Sequence, residues 1–122
     1  MIYFLKKQFI FIYIGLIFGI SSIPGDGFIG DIHQFGIDKL FHFLEYFILG
    51  LITHLYVKGR DKKFRLLYLG ILIVPVIDEY FVQYISGRTV DYLDFIANFI
   101  GLYAGIFIYL LLGKYFDKKA HN

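Results

Sequence analysis

Two apolar segments of the 122-residue chain carry acidic side chains that could act as acid–base groups or bind a charged ligand. Asp78 and Glu79 are neighbours directly after a run that is typical of a membrane interior. Asp38, His42 and Glu45 follow at i, i+4 and i+7, which places them on one face of a helix. An ionised side chain at the bilayer centre costs about 2.5–3.5 kcal/mol. These acids should therefore face inward, form pairs or take up protons.

A third polar stripe follows a short turn that contains Arg88. Asp91, Asp94 and Asn98 are spaced at i, i+3 and i+7, again on one helix face. The planar guanidinium of Arg88 is suited to bidentate pairing with phosphate or carboxylate, although it could instead neutralise Asp78 or Asp94. We predict that the stripes converge on one outward-opening polar pocket, with the candidate ligand-binding residues Asp38, His42, Glu45, Asp78, Glu79, Arg88, Asp94 and Asn98.

Residue types alone leave four interpretations of this polar cluster open. It could be an inert network that fixes helix packing, a pocket for a polar ligand or lipid headgroup, a divalent-metal site, or a site of proton transfer or catalysis. No spacing is specific for a metal, and HFLE at residues 42–45 lacks the second histidine of HExxH sites. We favour the ligand pocket and expect neither a resident metal nor a cofactor.

The elements that must position these residues are helices in a membrane. Hydrophobic residues make up 58% of the chain and charged residues 18%, whereas a soluble domain has about 45–50% and about 25%. So small a core cannot bury that excess, and the mean hydropathy of +0.66 agrees. One helical crossing needs about 20 apolar residues. We predict an all-α polytopic membrane protein with a single domain over residues 1–122 and four transmembrane helices at about 8–24, 40–57, 66–85 and 93–112.

Lysine and arginine placement predicts the orientation of these helices. All twelve basic residues except Lys39 and Arg88 fall on one side of the predicted topology, and positive residues mark the cytoplasmic side. We therefore expect a multi-pass protein of the cell membrane with both termini in the cytoplasm. Lys6 and Lys7 before an apolar run also resemble a signal peptide, but no small-x-small cleavage site follows Ile20. We expect a retained first helix.

Glycine and proline positions predict how the helices pack. Gly15 and Gly19, and also Gly101 and Gly105, form GxxxG patterns that allow close helix approach. Pro75 would bend the third helix one turn before the paired acids, although a proline without a special role is an equal alternative.

Two blocks of the sequence resemble the signature blocks of the VanZ-like family, small bacterial membrane proteins named after an accessory protein of glycopeptide-resistance clusters. They are DKLFHFLEYFILG at residues 38–50 and DEYFVQYISGRTVDYLDFIANFIGLYAG at residues 78–105. Val82, Ser86 and Asp91 depart from the usual pattern. The resemblance implies a membrane location and an association with teicoplanin resistance, but it does not imply a reaction.

The leading functional hypothesis is a non-enzymatic accessory protein of the cell envelope whose pocket binds a lipid-linked wall precursor or a glycopeptide. The alternative is an intramembrane enzyme acting on an envelope lipid, with His42 or Glu45 as base and Arg88 holding the charged group. A small oligomeric transporter is weaker, since coupling sites usually lie near the bilayer midplane. The expected partner is the lipid bilayer; nucleic acid is not expected, and a homo-oligomer remains open.

Overall fold

A computed structural model of the chain describes residues 2–24, 36–56 and 62–120. These residues form helices and contain no β-strand, so the all-α prediction is confirmed for them. Some charged residues of the predicted connections between helices lie outside the described residues, namely Asp26, Asp31, Lys58 and Arg60. The elements are α1 (Ile2–Ser21), α2 (Ile37–Tyr56), α3 (Lys62–Ile77), a π-helical turn (Asp78–Val82), α4 (Gln83–Ile85) and α5 (Tyr92–Ala120).

The helix bounds differ from the predicted apolar runs at several ends. Helix α1 starts at Ile2, because lysine is a good helix former and the two lysines do not interrupt the helix. It ends at Ser21, since Pro24 disfavours helical backbone at the residue before it. Helix α5 continues to Ala120, well beyond the last apolar residue of its predicted span. Apolar runs therefore mark the lipid-facing part of a helix rather than its ends.

Burial in this protein is the reverse of that in a soluble domain. Among the residues whose burial the structure describes, seven apolar residues form the core, whereas nine buried residues are polar or charged. Large apolar side chains are exposed along every long helix, for example Phe11, Leu44, Leu69 and Phe107. Fully buried charged residues are rare in soluble proteins unless they are paired. The apolar surface thus suits lipid, and the polar residues lie inside.

Two described helical segments are long and apolar enough to cross a membrane, namely Arg65–Ile85 and Tyr92–Leu112. A shorter apolar helix covers Gln8–Ser21. Together with the exposed apolar surface, these segments support a membrane protein.

Helices α2 and α5 form the largest helix–helix contact of the described residues, and glycines permit it. A Cβ added at Gly101 would collide with the carbonyl oxygen of Phe43, and one at Gly105 with that of Phe47. Gly50 faces the backbone of α5 in the same way. The backbones are thus too close for any side chain at these positions. The packing role predicted for Gly101 and Gly105 is confirmed.

The same prediction is wrong for the GxxxG pattern of α1. A Cβ added at Gly15 or Gly19 would meet no described atom within 4 Å. Helix α1 packs instead through Ile10 and Ile17, which are buried in the core, and through Tyr13, which donates a hydrogen bond to the Glu45 carbonyl oxygen at 3.0 Å. A GxxxG pattern permits close approach but does not require it, because the rotation of the helix decides which face meets a neighbour.

Candidate ligand-binding site

A π-helical turn positions the two adjacent acids. Pro75 has no backbone N–H, and three residues later the chain widens into the π turn, where the Gln83 N–H donates to the Asp78 carbonyl oxygen. Turns of this kind are frequent at functional sites in helices. Asp78 and Glu79 are both fully buried within it. The irregular turn therefore points two consecutive carboxylates into the protein.

The two acids have different partners. Asp78 Oδ2 accepts a hydrogen bond from the Tyr46 hydroxyl at 3.0 Å, whereas its Oδ1 has no hydrogen-bond partner in the described part of the chain. Glu79 Oε2 accepts from Gln83 Nε2 at 2.7 Å, and its Oε1 accepts from the Asp91 backbone N–H at 2.8 Å. Glu79 thus ties the π turn to the start of α5.

The turn after α4 positions Arg88. Gly87 has a φ of +78°, a left-handed conformation that glycine adopts without steric cost. The Gly87 N–H donates to the Tyr84 carbonyl oxygen at 3.2 Å, and the Arg88 N–H donates to the Gln83 carbonyl oxygen at 3.0 Å. This pair of bonds is the Schellman arrangement that ends many helices. It holds the Arg88 backbone beside Gln83, the buried first residue of α4.

Asp91 begins α5 and also belongs to an ion cluster. Its Oδ1 accepts from the Leu93 N–H at 2.8 Å, which is an N-cap contact. Its Oδ2 lies 2.9 Å from Lys39 Nζ, which is also 2.9 Å from Asp94 Oδ1 and 3.2 Å from Asp38 Oδ2. One ammonium therefore joins the starts of α2 and α5.

Lys39 supplies the positive charge that this cluster needs. Carboxylate oxygens of Asp38, Asp91 and Asp94 lie within 4.8 Å of one another, a grouping that could hold a cation, and the ammonium is bonded to all three residues. Burial disfavours the charged lysine, but the hydrogen bonds to Asp91, Asp94 and Asp38 outweigh it and raise the Lys39 pKa above its ordinary value. The Lys39 hydrogen bond, aided by the Leu93 N–H, lowers the pKa of Asp91.

A cavity of about 230 Å³ whose wall includes several polar residues lies beside this cluster, between the end of α1, the first turns of α2 and Arg88. His42 on its wall has Nε2 at 3.6 Å from Asp94 Oδ2, and its Nδ1 has no hydrogen-bond partner among the described residues. The cavity is lined by Ile20, Ser21, Asp38, Phe41, His42, Glu45 and Arg88.

Half of the predicted site residues line this cavity and half lie behind it. Asp38, His42, Glu45 and Arg88 are on its wall. Asp94 contacts His42 from behind, and Asp78 and Glu79 are held by their own donors. Asn98 is fully buried, and its side-chain amide has no partner among the described residues.

Arg88 does not neutralise the acids by direct contact. Within the described residues, its guanidinium forms no ion pair with Asp78, Asp94 or any other carboxylate. Lys39 has that role for Asp94 instead. The alternative interpretation of Arg88 as a direct partner of Asp78 or Asp94 therefore finds no supporting contact.

Sequence reasoning missed several residues that hold the site together. Asp91 carried a signal, because an acid directly before an apolar helical run is a typical N-cap. Lys39 carried a weaker one as a lone basic residue beside Asp38. Tyr46 carried none, since nothing in a one-dimensional pattern indicates which hydroxyl will approach a carboxylate on another helix.

A larger cavity of about 650 Å³ lies elsewhere, as an open groove along α5. Its lining is almost wholly apolar and includes Phe99, Tyr103 and Phe107. It has no charged group and suits lipid chains rather than chemistry.

Comparison with known proteins assigns the chain to a family. No curated protein and no solved structure matches it. A family model described as VanZ/LLP1 matches residues 2–113, a range that includes α1 to α4 and most of α5. The match covers both resembling blocks and the residues that line the polar cavity. The chain therefore belongs to the VanZ/LLP1 family.

Proposed function

We propose that this protein is an accessory membrane protein of the bacterial cell envelope that binds the polar part of a lipid-linked molecule in the cavity beside Arg88. Membership of the VanZ/LLP1 family fits such an envelope or resistance role. The exposed apolar helices support a lipid environment, and the polar cavity is a place where a ligand could be recognised.

The observation that carries the proposal is that the Arg88 guanidinium forms no ion pair with any described carboxylate. The acids at the starts of α2 and α5 are in contact with Lys39 rather than with Arg88. Arginine binds phosphate and carboxylate through two parallel hydrogen bonds. An arginine on a cavity wall with no carboxylate partner in the described chain is therefore available to an anionic group of a ligand.

The proposal includes four membrane spans, with both termini in the cytoplasm and the cavity open to the outside. The charge asymmetry of the sequence supports this orientation. Since the chain has no cysteine, Gly27→Cys and Asn122→Cys each introduce a unique thiol. An impermeant thiol reagent added to intact cells should label the first variant and spare the second. Labelling of both from the same side would overturn the topology.

The ligands proposed for the cavity are a lipid-linked wall precursor and the glycopeptide teicoplanin. Binding of each to the purified protein in detergent would be measured directly. We expect Arg88→Lys to weaken binding by about 10- to 100-fold, because lysine keeps the charge but loses the planar fork. Arg65→Lys is the matched control, since Arg65 is exposed near the start of α3.

Cell assays would follow the same variants. Teicoplanin resistance should fall for Arg88→Lys while the amount of folded protein stays at the wild-type level. Arg88→Ala should lower resistance at least as much. Absence of binding to either ligand, or normal resistance with the lysine variant, would overturn the proposed role of Arg88.

A second candidate function is acid–base chemistry on an envelope lipid. The observation that favours it is His42, whose Nε2 faces Asp94 while its Nδ1 is unpartnered among the described residues. A carboxylate behind a histidine orients the ring for proton transfer. His42→Ala should then abolish a change in lipid composition that the wild-type protein causes in cells. Identical lipid profiles with and without the wild-type protein would exclude this candidate.

A further inference from the structure

Two residues that can carry opposite charges, Glu45 and Arg88, line the same cavity. The Glu45 carboxylate belongs to α2 and the Arg88 guanidinium to the turn after α4. Among the described residues they form no ion pair with each other, and the Glu45 carboxylate accepts no hydrogen bond. A charge that is partly removed from water needs a well-placed partner of opposite sign to offset its loss of hydration. Their separation therefore leaves both charges available to a third molecule.

We infer that the ligand of this cavity is zwitterionic, with a phosphate or carboxylate held by Arg88 and an ammonium group held by Glu45. The inference rests on the proposed function and names the chemical class of its ligand. An ammonium group has three N–H donors, and a guanidinium binds an anion through its planar fork. Each charge of the cavity thus meets its complement on one molecule.

The other polar groups of the wall fit the same ligand. Asp38 adds negative charge near Glu45 on α2, and its pairing with Lys39 keeps it in place. His42 lies on the same wall, with its Nε2 at 3.6 Å from Asp94 Oδ2.

Ligands with one charge fit the cavity less well. A purely anionic group would be attracted by Arg88 but repelled by Glu45 and Asp38. A purely cationic group would be attracted by Glu45 and Asp38 but repelled by Arg88. The cavity volume of about 230 Å³ is below the range of about 300–1,000 Å³ that drug-sized ligands occupy. The site therefore takes a headgroup or another small zwitterionic part of a larger molecule.

The test compares two lipids that share the phosphate and differ in the headgroup alcohol. Phosphatidylethanolamine carries a primary ammonium, whereas phosphatidylglycerol carries two uncharged hydroxyl groups in its place. With identical acyl chains, each would be titrated into the detergent-solubilised protein, and bound lipid would be counted by native mass spectrometry. We expect the wild-type protein to prefer phosphatidylethanolamine by about 10-fold or more, the effect of one charged hydrogen bond.

Two variants assign each charge to its half of the ligand. Glu45→Gln keeps the shape of the side chain and should remove the preference, lowering phosphatidylethanolamine binding to the level of phosphatidylglycerol. Phosphatidylglycerol binding to the same variant is the internal control for folding. Arg88→Gln should weaken binding of both lipids, because both carry the phosphate.

The outcomes separate the two proposals. If the wild-type protein binds neither lipid, wall precursor nor glycopeptide, the proposed function fails. If it binds both lipids equally and Glu45→Gln changes neither, the proposed function survives and the zwitterion inference is overturned. Competition by free phosphoethanolamine would show that the headgroup is sufficient, and lipid preference without such competition would show that the acyl chains contribute; both support the inference.

Discussion

The two ends of the contact between α2 and α5 are held by different kinds of interaction. At one end Lys39 of α2 lies among carboxylates that include Asp91 and Asp94, and charge complementarity holds the helices. Further along, Gly101 and Gly105 of α5 meet the carbonyl oxygens of α2, and shape alone holds them. Glycine contacts dominate where the surroundings are apolar, because lipid provides no hydrophobic drive for helix association.

The difference predicts two kinds of sensitivity. The glycine contact has no spare volume, so any added atom forces the helices apart. The charged end is partly exposed, with Lys39 at 30% and Asp91 at 40% side-chain exposure, so water and salt can replace part of what a substitution removes. We therefore expect steric changes to cost more than charge changes.

The largest effect should come from Gly101→Ala. The added Cβ would collide with the Phe43 carbonyl oxygen, and we expect the free energy of unfolding to fall by about 3 kcal/mol or more. Gly19→Ala is the matched control, because it also alters a GxxxG pattern but meets no described atom within 4 Å. Unfolding in mixed detergent and dodecyl sulfate would measure both. Equal losses would mean that shape is not what limits the α2–α5 contact.

We expect a smaller loss in the free energy of unfolding for Tyr46→Phe, which removes a hydroxyl without changing the packed ring. Asp78 would lose the donor at 3.0 Å to Oδ2, while its Oδ1 already has no partner among the described residues. We expect the free energy of unfolding to fall by about 2 kcal/mol, the cost of losing a hydrogen bond to a buried carboxyl group. Tyr13→Phe loses a hydroxyl bond of the same length to the Glu45 carbonyl oxygen, and it should cost about 0.5–1 kcal/mol. A loss for Tyr46→Phe no greater than that for Tyr13→Phe would contradict this account of Asp78.

The smallest loss in the free energy of unfolding at neutral pH is expected for Lys39→Met. Removing the ammonium leaves the carboxylates of Asp38, Asp91 and Asp94 to repel one another, and partial exposure limits the loss to about 1 kcal/mol. Mild acid should reverse it, since protonation relieves the repulsion. The same unfolding assay between pH 7 and pH 4 would show the difference from wild type shrinking. A difference that stays constant with pH would argue against charge as its origin.

In the wild-type protein, by contrast, the contacts between Lys39 and Asp91 should lose stability at both extremes of pH. The lowered pKa of Asp91 means that its contribution is present above its ordinary pKa and is lost as the pH falls through the lowered value. The raised pKa of Lys39 means that its contribution is present below its ordinary pKa and is lost as the pH rises through the raised value. The contribution of this pair to stability should therefore be constant between about pH 5 and pH 9.

Helical spacing in the sequence predicted the stripe of Asp38, His42 and Glu45, and the structure places all three on one cavity wall. The stripe follows from geometry, because residues three, four or seven apart lie on one face of any regular helix. Arg88 also lines the cavity, but it lies in a turn, where helical spacing predicts nothing. Composition and the length of the apolar runs predicted helices in a membrane, because neither depends on how the helices pack.

What the sequence by itself determined is therefore the set of helices, the face on which each polar residue lies and the family to which the chain belongs. Only the tertiary structure decided that Lys39 pairs with the acids at the starts of α2 and α5, that Arg88 has no carboxylate partner in the described chain, and that the glycines of α5 form a close contact while those of α1 do not. These outcomes depend on how each helix is rotated about its axis and on the π turn that changes the helical register before α4. A local sequence pattern determines neither the rotation of a helix nor the position of a π turn, because both are set by contacts between residues far apart in the chain.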